Sequence, residues 1–175
     1  MPMVMAIQNT IKTESRRREM DNYEKQKVIK SIVPKAVLKA LTDGSKYAIT
    51  KKSYELDVIP IYNYPFKIGR EARVEHVNGE TIVKERHKLD ASMPSNDAYL
   101  VDNGKLLQIS RRHCVIAMEN DSYKLKDRGS ACGCMVNDVK IGNELDDNCG
   151  LEDGDIITLG SHNSNYKYQF ITLDF

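Results

Sequence analysis

The stretch HCVIAM–ENDS–YKLKD, residues 113–127, constrains the fold more than any other part of the chain. An apolar run, a polar turn and an alternating run follow one another too closely for a helix, and together they spell a hairpin. On the second arm Tyr123 and Leu125 share one face while Lys124 and Lys126 share the other, the period of two of a half-buried strand. CMV–ND–VKIG (134–142) repeats the plan, with Asn137-Asp138 as a turn pair suited to positive φ. AVLKAL, TDGS and KYAIT (36–50) read as a further hairpin turning at Asp43-Gly44. YELDVIPIYNYPFKIGR (54–70) is rich in β formers, and Pro60 and Pro65 confine part of it to an edge strand or loop. DAYLVD, LEDGDIITLG and YKYQFITL supply the remaining short strands. About ten strands with a turn signal every dozen residues or so, and no helical pattern between them, specify an antiparallel sandwich. On such a scaffold functional residues belong in the loops at one end.

The first part of the chain has another texture. Residues 5–31 hold no Gly or Pro and read as one charged helix with an interrupted apolar stripe, ended by Pro34. A solvated helix, a dimerising helix and a membrane-surface helix all remain open for it. We therefore expect a charged N-terminal helix or linker over 1–34 and a domain over 35–175. The polar, turn-rich segment at about 71–97 is expected to be a long surface insertion in that domain.

Hydrophobic residues make up 41% of the 175 and charged residues 29%, a globular composition. No apolar run approaches the ~20 residues of a membrane-spanning helix, and the N-terminus lacks the layout of a signal peptide, so a cytoplasmic location is expected. Residues 1–40 carry nine Lys and Arg against four acidic residues, a net of +5, which leaves −4 for the rest. That balance argues against nucleic acid as the partner of the folded part, and any bound anion must be held locally. Four cysteines, Cys114, Cys132, Cys134 and Cys149, make no disulfide scaffold and lack the paired spacing of a zinc site. Small buried hydrophobes are the better description. No cofactor is expected.

Catalysis finds little support. Ser110 precedes His113 by three residues, but neighbours along a strand seldom face each other, and no nucleophile elbow, Walker loop or H-E-x-x-H motif is present. Asp153 and Asp155 bracket a turn glycine and belong to turn chemistry. Anion binding fits better. FKIGRE, QISRRHC and KDRGSACG each set a cationic or hydroxyl residue at a strand edge beside a turn. They offer Arg70 after Gly69, then Ser110, Arg111 and Arg112, then Ser130 after Gly129. Guanidinium forks meet a phosphate bidentately, and a hydroxyl or loop N–H adds a directional donor.

In order along the chain, G-R at 69–70, S-R-R-H at 110–113, DRGSACGCMVND at 127–138 and LEDGDIITLG at 151–160 resemble the signature of the forkhead-associated (FHA) domain. The resemblance spans residues 36–173. It implies an all-β sandwich of about eleven strands in two antiparallel sheets that binds phosphothreonine peptides through loops at one end, without catalysis. By matching position it implies that Arg70 organises the first loop and donates to phosphate or peptide backbone. Ser110 and Arg111 would hold the phosphate, with Arg112 toward solvent or the peptide. Ser130, Ala131 and Cys132 would contact the peptide. Gly69 and Gly133 would serve turn geometry, and the His113 ring would tie two loops together.

The chain departs from the family where Ala131-Cys132-Gly133-Cys134 replaces the usual Thr-Asn-Gly-Thr. The asparagine normally bonds the peptide main chain, for which a thiol is a poor substitute. Asp138 replaces a further usual glycine. The expected function is that of a phosphothreonine-recognising signalling adaptor module, the alternative being a phosphate-independent assembly domain of the same fold. The expected partner is a threonine-phosphorylated protein or peptide, or the chain's own tail phosphorylated at Thr10 or Thr13, with neither nucleic acid nor membrane.

Overall fold

A computed structural model describes residues 22–49, 57–70, 74–77, 80–83, 95–142 and 147–173. The chain divides into two compact units, Met1–Pro34 and Lys35–Phe175. In the first, helix α1 occupies 22–32 of the described residues. The rest of the helix expected over 5–31, together with Thr10 and Thr13, lies outside the described residues.

The second unit opens with β1 (Ala36–Ala40), α2 (Asp43–Ala48), β2 (Val58–Ile61), β3 (Phe66–Arg70), β4 (Val74–Val77), β5 (Glu80–Val83) and β6 (Ala98–Leu100). It continues with β7 (Cys114–Glu119), β8 (Ser122–Asp127), β9 (Cys134–Val136), β10 (Val139–Ile141), β11 (Asn148–Leu151), β12 (Ile156–Leu159) and β13 (Lys167–Thr172). Eleven of these strands form two sheets, ordered β10-β9-β12-β13-β1-β2 and β11-β8-β7-β3-β6. The expected sandwich is present. β2, which carries Pro60, lies at the edge of its sheet, where a missing N–H costs no ladder bond.

Alternation along the strands builds the core between the sheets. Leu38 on β1 lies in register with Phe170 on β13 and Ile59 on β2, and all three are buried. From the other sheet Ile68, Cys114, Ile116 and Leu125 point inward. Each fully buried Ile, Leu or Phe side chain contributes about 1.5–3 kcal/mol. Tyr123 on β8 meets the Phe170 ring edge-on with centroids 5.2 Å apart, an aromatic contact across the two sheets. On the opposite face of β8, Lys124 and Lys126 both pair with Glu119 on β7. The β7–β8 hairpin turns through Asn120 and Asp121 at φ 50° and 57°, and the β9–β10 hairpin through Asn137 at φ 52°.

Three expectations are corrected. The pairing is not wholly antiparallel, because β6 joins β3 in parallel, Ile68 beside Ala98 and Arg70 beside Leu100. The segment at 71–97 is not all loop, since β4 and β5 pair as an antiparallel ribbon within it. TDGS is not the turn of a hairpin. Thr42 caps α2 by accepting the Ser45 N–H at 3.2 Å, and β1 pairs with β13 and β2 instead. Gly44 suits this helix because a Cβ there would come within 2.8 Å of the Asn165 carbonyl oxygen. Its small size serves a close approach and not a turn.

Ser45 anchors α2. Its buried hydroxyl donates to the Lys167 carbonyl at 2.7 Å and accepts the Lys167 N–H at 2.7 Å, at the start of β13. Ser45→Ala leaves the Lys167 N–H without this acceptor in a dry site, a cost of about 1–3 kcal/mol, while the Lys167 carbonyl keeps the Leu41 N–H at 3.0 Å. Urea denaturation of the variant should show a lower midpoint with an unchanged slope.

Candidate functional site

The end of β3, the β6–β7 loop and the β8–β9 loop meet at one end of the sandwich. What brings the first two together is the absence of a side chain at Gly69. A Cβ there would lie 2.1 Å from the Arg111 carbonyl oxygen and 2.6 Å from Asn96 Nδ2. Gly69 is therefore a packing glycine inside β3, not the bend expected of it. The close approach lets the Arg70 N–H donate to the Ser110 carbonyl at 2.9 Å and the His113 N–H donate to the Ile68 carbonyl at 3.0 Å. Arg70 Nε donates to the Ile109 carbonyl at 2.9 Å, which aims the guanidinium along the loop.

Two carboxylates hold the loops from behind. Asp102, 7% exposed, accepts the Gln108 and Ile109 N–H groups at 2.6 and 2.8 Å on one oxygen. Its other oxygen accepts the Gly104 N–H at 3.0 Å and the Tyr166 hydroxyl at 2.7 Å. Burial, then that same carboxylate, pushes the Tyr166 pKa up to about 12. Asp127 does the same for the β8–β9 loop, accepting the Gly129 and Ser130 N–H groups at 2.8 and 2.9 Å. Gly133 ends that loop at φ 72°, where a glycine avoids the strain of a side chain.

The result is an open cleft of about 530 Å³ lined by Arg70, Leu107, Ile109, Ser110, Arg111, Arg112, Arg128, Gly129 and Ala131. Ser110 Oγ accepts the Ala131 N–H at 2.9 Å, which fixes the oxygen and leaves its proton to donate. Of the six residues expected to contact a ligand, Arg70, Ser110, Arg111 and Ala131 stand on the cleft wall. Ser130 and Cys132 do not. Ser130 is buried with its hydroxyl unpaired, and Cys132 turns its thiol toward the Leu107 carbonyl at 3.8 Å.

Arg128 was missed, although KDRGS displays it. Its guanidinium donates to Asn96 Oδ1 at 2.6 Å and to the Ser95 carbonyl at 3.0 Å, while buried Asn96 donates in turn to the Arg111 carbonyl at 2.8 Å. Asn96, like Asp102, has no local pattern that marks it. The ion pairs made among the described residues involve none of Arg70, Arg111, Arg112 or Arg128. Among the described residues, four guanidiniums thus share one cleft without an ion-pair partner, and Asp97 acts on Arg128 only as a weaker opposing charge. Burial and the neighbouring Arg112 lower the Arg128 pKa from its ordinary value.

His113 is fully buried. Its Nδ1 accepts the Ser110 N–H at 2.9 Å, which assigns the proton to Nε2, and Nε2 faces the Gly133 backbone of the β8–β9 loop. The ring braces its own loop. The tie to the β8–β9 loop runs through the His113 carbonyl, which accepts the Arg128 N–H at 2.9 Å. Among the described residues no group of His, Cys and carboxylate side chains is arranged to hold a metal. Burial raises the Cys114 and Cys134 thiols above their ordinary pKa, as suits inert core residues.

Burial drives the His113 pKa down from 6.5 to about 4, over the opposing pull of Asp127 and Asp102. Between those values the unfolded chain binds a proton that the folded chain refuses. Stability is therefore complete above pH 6.5 and declines as pH falls toward 4, by up to about 1.4 kcal/mol per pH unit. In NMR titration the His113 ring signals should stay fixed from pH 7.5 to 5; a midpoint near the ordinary value refutes the buried neutral ring.

A family model described as FHA domain matches residues 66–160. Among solved structures, full-length yeast Pml1p is similar at 18% identity and a TM-score of 0.50, over 79% of this chain and 81% of that one. Mycobacterium tuberculosis EmbR in complex with a low-affinity phosphopeptide is similar at 16% identity and 0.47, over 91% of this chain and 32% of that one. The FHA domain of the CT664 protein from Chlamydia trachomatis is similar at 19% identity and 0.44, over 80% and 97%. No curated protein sequence matches. With its motifs in order on an eleven-stranded sandwich, and more than half its length matched by the family model, this chain belongs to the FHA domain family.

Proposed function

We propose that the domain is a non-catalytic module that binds a protein segment phosphorylated on threonine. The observation that carries this reading is the set of guanidiniums, without an ion-pair partner among the described residues, around a positioned serine hydroxyl in one open cleft. A phosphate monoester brings a charge of about −1.5 to −2 and several strong acceptor oxygens. Arg70 and Arg111 supply charge-assisted donors to it, and Ser110 supplies a neutral one whose direction is set by the Ala131 N–H. Because the loops are braced by Asp102, Asp127 and the Gly69 contact, little ordering cost falls on binding.

A second reading, a phosphate-independent assembly domain, is favoured by one feature. Cys132 stands where the family's asparagine bonds the peptide main chain, and its thiol is engaged with the Leu107 carbonyl. That substitution weakens the grip on peptide backbone without touching the phosphate donors.

Fluorescence anisotropy with degenerate peptides in phosphothreonine, phosphoserine and unmodified forms separates the two readings. The first predicts binding confined to phosphorylated peptides and strongest for phosphothreonine. Arg70→Ala should weaken it by about tenfold or more, the worth of one charge-assisted bond, and Ser110→Ala should also weaken it. Equal affinity for phosphorylated and plain peptides overturns this reading in favour of assembly.

A further inference from the structure

The cleft carries more positive charge than one phosphate needs. Arg70, Arg111 and Ser110 suffice to meet the three terminal oxygens of a monoester. Arg112 and Arg128 remain on the same wall, without a carboxylate partner in the ion pairs that the described residues make. We infer that Arg112 and Arg128 form a second anion subsite, so that the ligand bears a second negatively charged side chain close to its phosphothreonine. This rests on the reading of the cleft as a phosphothreonine site and goes on to name the class of segment that fills it.

The construction of the Arg128 side supports a subsite and not a stray surface charge. Its guanidinium is fixed at two nitrogens by Asn96 Oδ1 and the Ser95 carbonyl, both neutral acceptors. Two of five N–H donors are used, which leaves a planar edge for an anion. Asn96, 2% exposed, spends its amide on the Arg111 carbonyl, so one buried side chain sets the Arg128 guanidinium and the Arg111 main chain together. Arg112 lies close enough to depress the Arg128 pKa, a like-charge cost that an anion between them removes. Four cations against one phosphate leave a surplus of about two charges, which matches a second phosphate or one to two carboxylates. The overall charge disfavours a long polyanion, since residues 41–175, the cleft arginines included, carry a net −4. A short segment with its anions concentrated in the cleft meets the positive field and avoids the negative one.

The test uses the full chain and synthetic nonapeptides with a central phosphothreonine, in three sets: neutral flanks, a single glutamate moved through the flanking positions, and a single phosphoserine moved likewise. Isothermal titration should give an affinity at least about tenfold higher for the best doubly anionic peptide than for the neutral-flank peptide. The glutamate and phosphoserine sets identify which anion the subsite takes. The decisive quantity is the ratio of those two affinities within one protein. Arg112→Gln, at an exposed residue, should shrink the ratio, and Arg112→Gln with Arg128→Gln should bring it near one. Arg70→Ala should lower both affinities together and preserve the ratio.

If wild type binds neutral-flank phosphothreonine peptide and no flanking anion improves it, the subsite is refuted while the phosphothreonine reading stands. If no phosphorylated peptide binds, both fall. A single-stranded RNA oligomer that binds more tightly than every peptide also overturns the inference.

Discussion

The site depends on one approach between two backbones. At Gly69 the β3 main chain and the Arg111 carbonyl come closer than any side chain would allow. That approach places the Ser110 carbonyl on the Arg70 N–H and the Ile68 carbonyl on the His113 N–H. Arg70, Ser110, Arg111 and Arg112 inherit their positions from this seam, because Arg70 follows it on the strand and the other three lie along the apposed loop. Asp102 and Asp127 then fix the outer parts of the loops by gathering backbone N–H groups that would otherwise be left unpaired.

The division of labour between charges follows from that scaffold. Acidic side chains in this region face backwards and bind main-chain N–H groups, whereas basic side chains face the cleft and hold neutral carbonyl or amide oxygens. Arg70 leans on a carbonyl, and Arg128 on a carbonyl and an amide. A guanidinium oriented by neutral acceptors keeps its full charge for an incoming anion, while one paired with a carboxylate would already be neutralised. The repulsion of Arg128 by Arg112 is the cost of that readiness. It is a local strain held by the β-sandwich beneath.

Much of this was legible in the sequence, and the unread parts share a cause. Strand alternation in HCVIAM and YKLKD and the Asn137-Asp138 turn are local signals, and local signals survive folding unchanged. The motif order placed Arg70, Ser110 and Arg111 on the same cleft. The errors arose where a residue's reason lies in a distant segment. Gly44 looked like a turn glycine because its neighbour is aspartate, yet what requires it is Asn165. Gly69 looked like a bend, yet what requires it is Arg111. Asn96 acts through the Arg111 carbonyl, and Asp102 through N–H groups further along its own loop and the distant Tyr166 hydroxyl, and no short pattern announces such partners. Ser130 carries the family's motif position but is buried, a matter of depth that spacing alone does not encode.

The Asp102 carboxylate has an evolutionary consequence. Its four bonds, to three backbone N–H groups and the Tyr166 hydroxyl, hold the stretch of the β6–β7 loop from Gly104 to Ile109 chiefly through its main chain. Leu106 and Leu107, 80% and 49% exposed, can therefore change identity without disturbing the path of the chain. A loop whose form is written in its main chain and whose surface is free to drift is a means of altering partner preference at little cost in stability.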